Sequence, residues 1–169
     1  KRSMAVEETV ETHQYLTFKL DEEVFSLTIT KVREVLDYTE ITRVPKTPDF
    51  MRGVINVRGG VVPVVDLRVK FGMPPTPRTV NTCIIIVEVA MDDDTTVLGV
   101  LADQVEEVLE IAPQSIEAAP RIGTRLRTDF IQGMGKRDEE FIIILDIDKV
   151  FSGEELSVVQ GAEEETAGV

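Results

Sequence analysis

Part of this chain occurs twice. Val24-Phe25-Ser26-Leu27 followed by Val32-Arg33-Glu34-Val35-Leu36-Asp37 returns 73 residues later as Val97-Leu98-Gly99-Val100 and Val105-Glu106-Glu107-Val108-Leu109-Glu110. A second pair lies 80 residues apart. It matches Asp49-Phe50-x-x-Gly53 to Asp129-Phe130-x-x-Gly133, and Asp66-Leu67 with Phe71 to Asp146-Ile147 with Phe151. One such match can arise by chance; two in the same order do not. The seven-residue difference between the offsets fits an insertion around Pro113 to Thr128. Self-similarity at a fixed spacing marks a duplicated structural unit.

Each copy reads as short strands with little helix. Leu16, Phe18 and Leu20 alternate with Tyr15, Thr17 and Lys19, and Phe25, Leu27 and Ile29 with Ser26 and Thr28. Period-2 alternation turns one set toward a core and the other toward solvent. Val54 to Arg58 and Val61 to Val65 flank Gly59-Gly60, which predicts a two-residue hairpin turn. Pro63 lacks a backbone donor, so the returning strand is expected at an edge or bulged. Asp66 is placed to cap a helical turn ending near Phe71. Asp92-Asp93-Asp94-Thr95 reads as a polar hairpin loop, and Ser152-x-x-Glu155 has capping-box spacing for a final helix to about Gln160. About five strands per copy predict two small barrels, which leave few free edges. Residues 1–13 lack periodicity and are expected to be loose, with Met4 read as a natural initiator behind Lys1-Arg2-Ser3. Residues 161–169, with Glu163-Glu164-Glu165, read as a flexible tail.

Charge and composition narrow the partners. The net charge is −13 at pH 7, so phosphate backbones and anionic lipid are poor ligands. The charge is uneven. Residues 14–80 hold ten basic and eight acidic residues, whereas residues 81–151 hold six and fifteen. Two such fields present different surfaces to different partners, although an acidic surface also simply favours solubility. The longest uninterrupted apolar runs, Cys83 to Val87 and Phe141 to Leu145, fall far short of the ~20 residues that a spanning helix needs. No signal peptide precedes the first strand, so a soluble, cytoplasmic protein without membrane insertion is expected.

The catalytic inventory is nearly empty. The single histidine, His13, falls in the segment expected to be loose and reads as an exposed bystander. Cys83, the single cysteine, opens an apolar strand and reads as a buried structural thiol. Gly133-x-Gly135-Lys136 lacks the earlier glycine of a phosphate loop, since Phe130 stands there. Asp92-Asp93-Asp94 and Asp146-x-Asp148 do not continue as a calcium loop and read as a turn and a helix cap. Glu106 and Glu107 are neighbours on a strand, where successive side chains point to opposite faces, which disfavours paired-carboxylate chemistry. No catalytic residue, metal site or cofactor is therefore expected, and binding is the remaining function.

Several runs carry a specific likeness. They are Tyr15-Leu16-Thr17-Phe18, Lys31-Val32-Arg33-Glu34-Val35, Thr42-Arg43-Val44-Pro45 and Pro48-x-Phe50-x-x-Gly53-Val54-Ile55-Asn56-Val57-Arg58-Gly59. Val62-Pro63-Val64-Val65-Asp66-Leu67, Gly99-x-x-x-Asp103-x-Val105-x-x-Val108 and Leu145-Asp146-Ile147-Asp148-Lys149 complete the set. Over about residues 14–151 the chain resembles the CheW family, adaptors that couple chemoreceptors to the histidine kinase CheA in bacterial chemotaxis. The resemblance implies an all-β fold of two intertwined five-stranded SH3-like barrels, about 20–80 and 81–151 with strands partly exchanged, plus short helices and a C-terminal helix. It also implies no catalysis, no cofactor, and a cytoplasmic protein recruited to receptor arrays at the inner membrane.

The same resemblance assigns surfaces. The receptor tip is expected in the groove between the barrels, at Ile29, Val32 and Val35, since helix-in-groove docking needs apolar anchors; all three also read as core, Val35 equally well. Glu34 and Arg58 are expected to pair across that groove, Arg58 otherwise being a solubilising strand-end charge. Kinase contact is expected at Thr42, Val44 and Pro45 and, in the second barrel, at Arg121 and Ile122, which also read as a solvated basic loop. Two such surfaces allow alternating rings of kinase and adaptor, or rings of the adaptor itself. Three other readings stay open: a related pilus-motility or second-messenger adaptor, a detached regulatory domain of a larger kinase, and a small β-barrel enzyme or ligand carrier.

Overall fold

The computed structural model describes residues 12–91, 94–118 and 128–167. Ten strands lie among them. The first five are β1 (His13–Leu20), β2 (Glu23–Thr28), β3 (Val32–Asp37), β4 (Met51–Val57) and β5 (Gly60–Asp66). The second five are β6 (Cys83–Met91), β7 (Asp94–Ala102), β8 (Gln104–Ile111), β9 (Ile131–Arg137) and β10 (Glu140–Leu145). Two single turns, α1 (Leu67–Lys70) and α2 (Ile147–Val150), follow β5 and β10, and α3 (Gly153–Ala167) closes the described chain.

The strands form two curled sheets of five, ordered β8-β1-β2-β10-β9 and β3-β6-β7-β5-β4. Replacing every strand by its repeat partner turns one order into the other. The predicted pair of intertwined barrels is therefore present, and the exchange is complete. The hairpin β1–β2 of the first copy enters the sheet of β8, β9 and β10, while β6–β7 of the second copy enters the sheet of β3, β4 and β5. Each insertion makes one parallel contact, β2 with β10 and β5 with β7. The sequence repeat divides the chain near residue 80, but the sheets do not. One is continuous from Val32 to Ala102, and the other draws on the segments either side of it.

The exchange sets where the core lies. Ile55, Val62, Val64, Ile84, Ile86 and Leu101 fill one barrel, and Tyr15, Ile111 and Ile144 the other. The largest cluster lies between the sheets and takes Phe18, Phe25, Phe50, Phe71, Phe130 and Phe151 from both copies. Ring centroids there sit 5.3–6.1 Å apart, the distance at which aromatic pairs attract beyond simple burial. Lys70 extends into this cluster with its ammonium 5.3 Å from the Phe50 ring centroid, and its Nζ meets Glu155 Oε2 at 2.7 Å. Leu156 and Val159 bury the inner face of α3. The Ser152/Glu155 box caps it: Glu155 N donates to Ser152 Oγ at 3.1 Å, and Ser152 N to Glu155 Oε1 at 2.8 Å.

Several expectations shift. His13 is the first residue of β1, paired with Ile111 and exposed, so the loose segment does not reach it. Helix α3 runs to Ala167, past the end expected at Gln160 and into the expected tail. The turn between β4 and β5 is Arg58-Gly59, not Gly59-Gly60. Both residues take positive φ (48° and 86°), as this tight turn requires, and Gly60 already pairs with Val57. Strand β5 is internal to its sheet. Pro63 is tolerated because it lies ahead of Val64–Asp66, the stretch that pairs with β7. The β6–β7 hairpin is longer than expected, with Met91 paired to Asp94; Asp92 and Asp93 lie outside the described residues.

Candidate functional site

Each barrel closes at a seam, and the repeat places the same machinery at both. Strands β3 and β4 are the edges of one sheet, β8 and β9 of the other. The chain leaving β3 crosses to β4, where Thr42 and Val54 exchange backbone hydrogen bonds of 2.9 and 2.8 Å. The chain leaving β8 does the same between Glu117 and Met134, at 2.9 and 2.7 Å. Gly53, with φ +145°, and Gly133 sit beneath these crossings. A Cβ on Gly53 would fall on the Thr42 carbonyl, and one on Gly133 on the Ile116 side chain. The Asp-Phe-x-x-Gly repeat read from sequence is thus the signature of barrel closure.

An ion pair spans each seam. Arg58, on the turn after β4, reaches back to Glu34 on β3. Its Nη1 donates to Oε1 at 3.1 Å and its Nη2 donates to Oε2. This fork matches carboxylate geometry, and the Arg58 hydrogen bond holds the Glu34 carboxyl below its ordinary range. Beside it, Val35 is 42% exposed. Ile29 opens a 3-10 turn (Ile29–Lys31), and both it and Val32 are half-buried against the inter-sheet core. Ile29, Val32, Glu34 and Val35 lie on one stretch of chain, and Arg58 meets it across the seam. Only Val35 is free of the core, so Val32 cannot be replaced without touching stability.

At the other seam Arg137 lies at the end of β9. Its guanidinium reaches Glu106 at 2.9 Å, Glu107 at 2.8 Å and Glu140 at 2.7 Å. The expectation that Glu106 and Glu107 face apart is corrected here. Strand β8 carries a bulge, since Leu16 pairs with Val108 and Phe18 with Val105, leaving Thr17 against both glutamates. The Thr17 hydroxyl accepts from Glu107 N at 3.0 Å and donates to Glu107 O at 2.7 Å, which satisfies the bulged backbone. Strand β3 has the matching irregularity at Arg33, between Val32 and Glu34.

Thr42 and Pro45 are exposed and Val44 is half-buried against the inter-sheet core, so the expected first kinase surface lies on the strand crossing and the turn after it. Arg121 and Ile122 lie outside the described residues. Cys83 is buried, and its burial pushes the thiol pKa up. Asp146 caps α2 by accepting from Asp148 N at 3.2 Å. Among the described residues no His, Cys, Asp or Glu group is arranged to hold a metal, and no helix is long and apolar enough to cross a membrane.

Sequence reasoning missed two features. The local pattern marks Asp66 as a cap only, yet this fully buried carboxylate accepts from Arg52 Nη1, Thr76 N and Thr76 Oγ1 at 2.7–2.9 Å besides capping Arg68 N. Lys31 reaches Asp148 at 2.7 Å and so ties the 3-10 turn before Val32 to α2 of the other copy. No local pattern announces either, because the partners are far apart in sequence.

Comparisons with known proteins agree with this fold. The CheW-like domain family matches residues 14–155. The chemotaxis protein CheW of Klebsiella aerogenes is 36% identical over 86% of each chain. That of Thermotoga maritima is 32% identical over 88% of this chain and 92% of its own. The crystal structure of the scaffolding protein TtCheW from Thermoanaerobacter tengcongensis superposes with a TM-score of 0.76 at 35% identity, covering 86% of this chain and 91% of that one. With the family matched along nearly all of its described length, this chain belongs to the CheW-like domain family.

Proposed function

We propose that this chain is a non-enzymatic chemotaxis scaffold that holds a chemoreceptor tip on one surface and the histidine kinase CheA on another. The observation that carries this is the β3 seam, where an exposed valine, Val35, stands beside an oriented, solvent-facing ion pair, Glu34–Arg58. An apolar anchor beside a charged fork suits a helical partner with its own apolar and polar stripes. The pair's worth lies in orienting a partner, because an exposed ion pair contributes little to folding. The kinase takes the separate surface at Thr42, Val44 and Pro45, with Arg121 and Ile122 as its second contact, and the adaptor reaches the membrane only through the receptor.

A crossed pull-down tests the assignment. Val35→Glu is expected to lower receptor-tip affinity by at least about tenfold while CheA is retained, and Val44→Asp to do the reverse. If Val35→Glu lost CheA and kept the receptor, the two faces would be exchanged. If neither variant lost either partner, the reading would fail.

A further inference from the structure

A pocket of about 490 Å³ opens on the outer side of the first copy, between the chain around Tyr38–Arg43 and helix α1. Its floor is apolar, formed by Ile41, Met51 and Val69, and its walls carry Arg43, Arg52 and Tyr38. A third cation lies against the lining: Arg78 stacks on the Tyr38 ring, 4.3 Å from the centroid. The pocket is built, because the Asp66 hub holds its back wall. Thr76 and Arg52 are fixed on that buried carboxylate, which carries the segment with Pro75 and Arg78 up to Tyr38.

The charge of this pocket runs against that of the chain. In a protein of net charge −13, Arg33, Arg52, Arg58, Arg68 and Arg137 each hold a carboxylate. Among the described arginines, Arg43 and Arg78 alone have none; Arg43 lines this pocket and Arg78 stacks on Tyr38, which also lines it. Asp49, exposed at the rim, supplies one opposing charge. The second copy lacks the arrangement, since Gln132 stands where the repeat would place Arg52.

We propose that this pocket receives an acidic segment of a partner protein, a carboxylate side chain lying between Arg43 and Arg78 and a neighbouring apolar side chain resting on Ile41, Met51 and Val69. Guanidinium forks match carboxylates, and an apolar floor under a few convergent polar groups is what ligand sites share. The inference stands on the pocket itself, but Arg43 lies within the Thr42–Pro45 stretch proposed for the kinase, so retention of CheA by the Arg43→Ala/Arg78→Ala variant tells this pocket from that surface.

The test is a two-dimensional NMR titration of the whole chain with a short capped peptide alternating glutamate with phenylalanine and leucine. Its glutamine counterpart and succinate serve as the other arms. The acidic peptide is expected to shift Tyr38, Ile41 and Val69, more weakly as salt screens the charges. Arg43→Ala with Arg78→Ala should weaken it at least about tenfold with no change in melting, since both side chains are exposed. Equal binding of the glutamine peptide would overturn the carboxylate recognition. Succinate binding as tightly as the peptide would assign the pocket to a small acid instead. Shifts elsewhere, no shifts, or an unaffected double variant would each remove the proposal.

Discussion

The two seams share one plan and differ in charge. At the β3 seam the bulge carries Arg33 and Glu34. Arg33 turns to Glu88 at 3.1 Å, and Glu34 holds Arg58, whose side chain remains 71% exposed. At the β8 seam the bulge carries two glutamates, and Arg137 is drawn in until only 19% of its side chain is exposed, with Glu140 as a third partner. The first arrangement leaves a guanidinium in solvent where a partner can meet it. The second spends its guanidinium on internal carboxylates and works as a clasp. The duplication thus gives two seams of one plan, and their charges leave one guanidinium exposed and the other enclosed.

The hubs beneath the seams give the widest separation. Asp66→Ala would strand the Arg52 guanidinium and the Thr76 amide and hydroxyl; because the Arg52 side chain is 32% exposed, the cost lies at the low end of a broken buried pair, about 3 kcal/mol. Asp146→Ala, its repeat partner, removes a helix cap worth about 1 kcal/mol. Urea unfolding of both variants under one condition measures the gap; equal losses would mean that the two hubs are equivalent after all.

A smaller contrast is expected at the clasps. Arg137→Ala should cost about 1–2 kcal/mol, discounted because Glu107 and Glu140 are half-exposed. Arg58→Ala should leave the urea midpoint where it is. A destabilised Arg58→Ala with an unaffected Arg137→Ala would invert the two roles.

The smallest effect is in titration. Because Arg58 depresses the Glu34 pKa, the pair's contribution is complete above the ordinary glutamate range and is lost as pH falls through the depressed value. Carboxyl-carbon NMR should find Glu34 titrating below an unpaired glutamate, and Arg58→Ala should move that midpoint upward. An unmoved midpoint would mean that the ion pair is not held in solution.

What the sequence could disclose was local or repeated. Alternation located the strands, Asp66 and Ser152 announced their caps, and Asp-Phe-x-x-Gly flagged both closures before their purpose was known. The strand exchange stayed hidden because β1–β2 and β6–β7 follow the same pattern, and a hairpin pairs as readily with either set of three strands. The β8 bulge was invisible because it depends on register against β1. The Arg58-Gly59 turn was misplaced by one residue, since two adjacent glycines offer the backbone freedom that the turn takes at Arg58 instead. Of the surface residues, Glu34 and Arg58 could be paired from position and charge. Core burial of Ile29 and Val32 was open from the alternation, but which of them packs and how far depends on a core assembled from both copies.

The strand exchange also governs the order in which a growing chain can be completed. Residues 32–102 contain every strand of one sheet, so that barrel can close as soon as they leave the ribosome. Hairpin β1–β2, made first, has no sheet to join until β8, β9 and β10 have followed, and Phe18 and Phe25, both fully buried at the end, wait with it. At ~5–20 residues per second that interval lasts roughly seconds, long compared with the microseconds in which a hairpin forms. During it, the waiting hairpin is the most adhesive part of the incomplete domain.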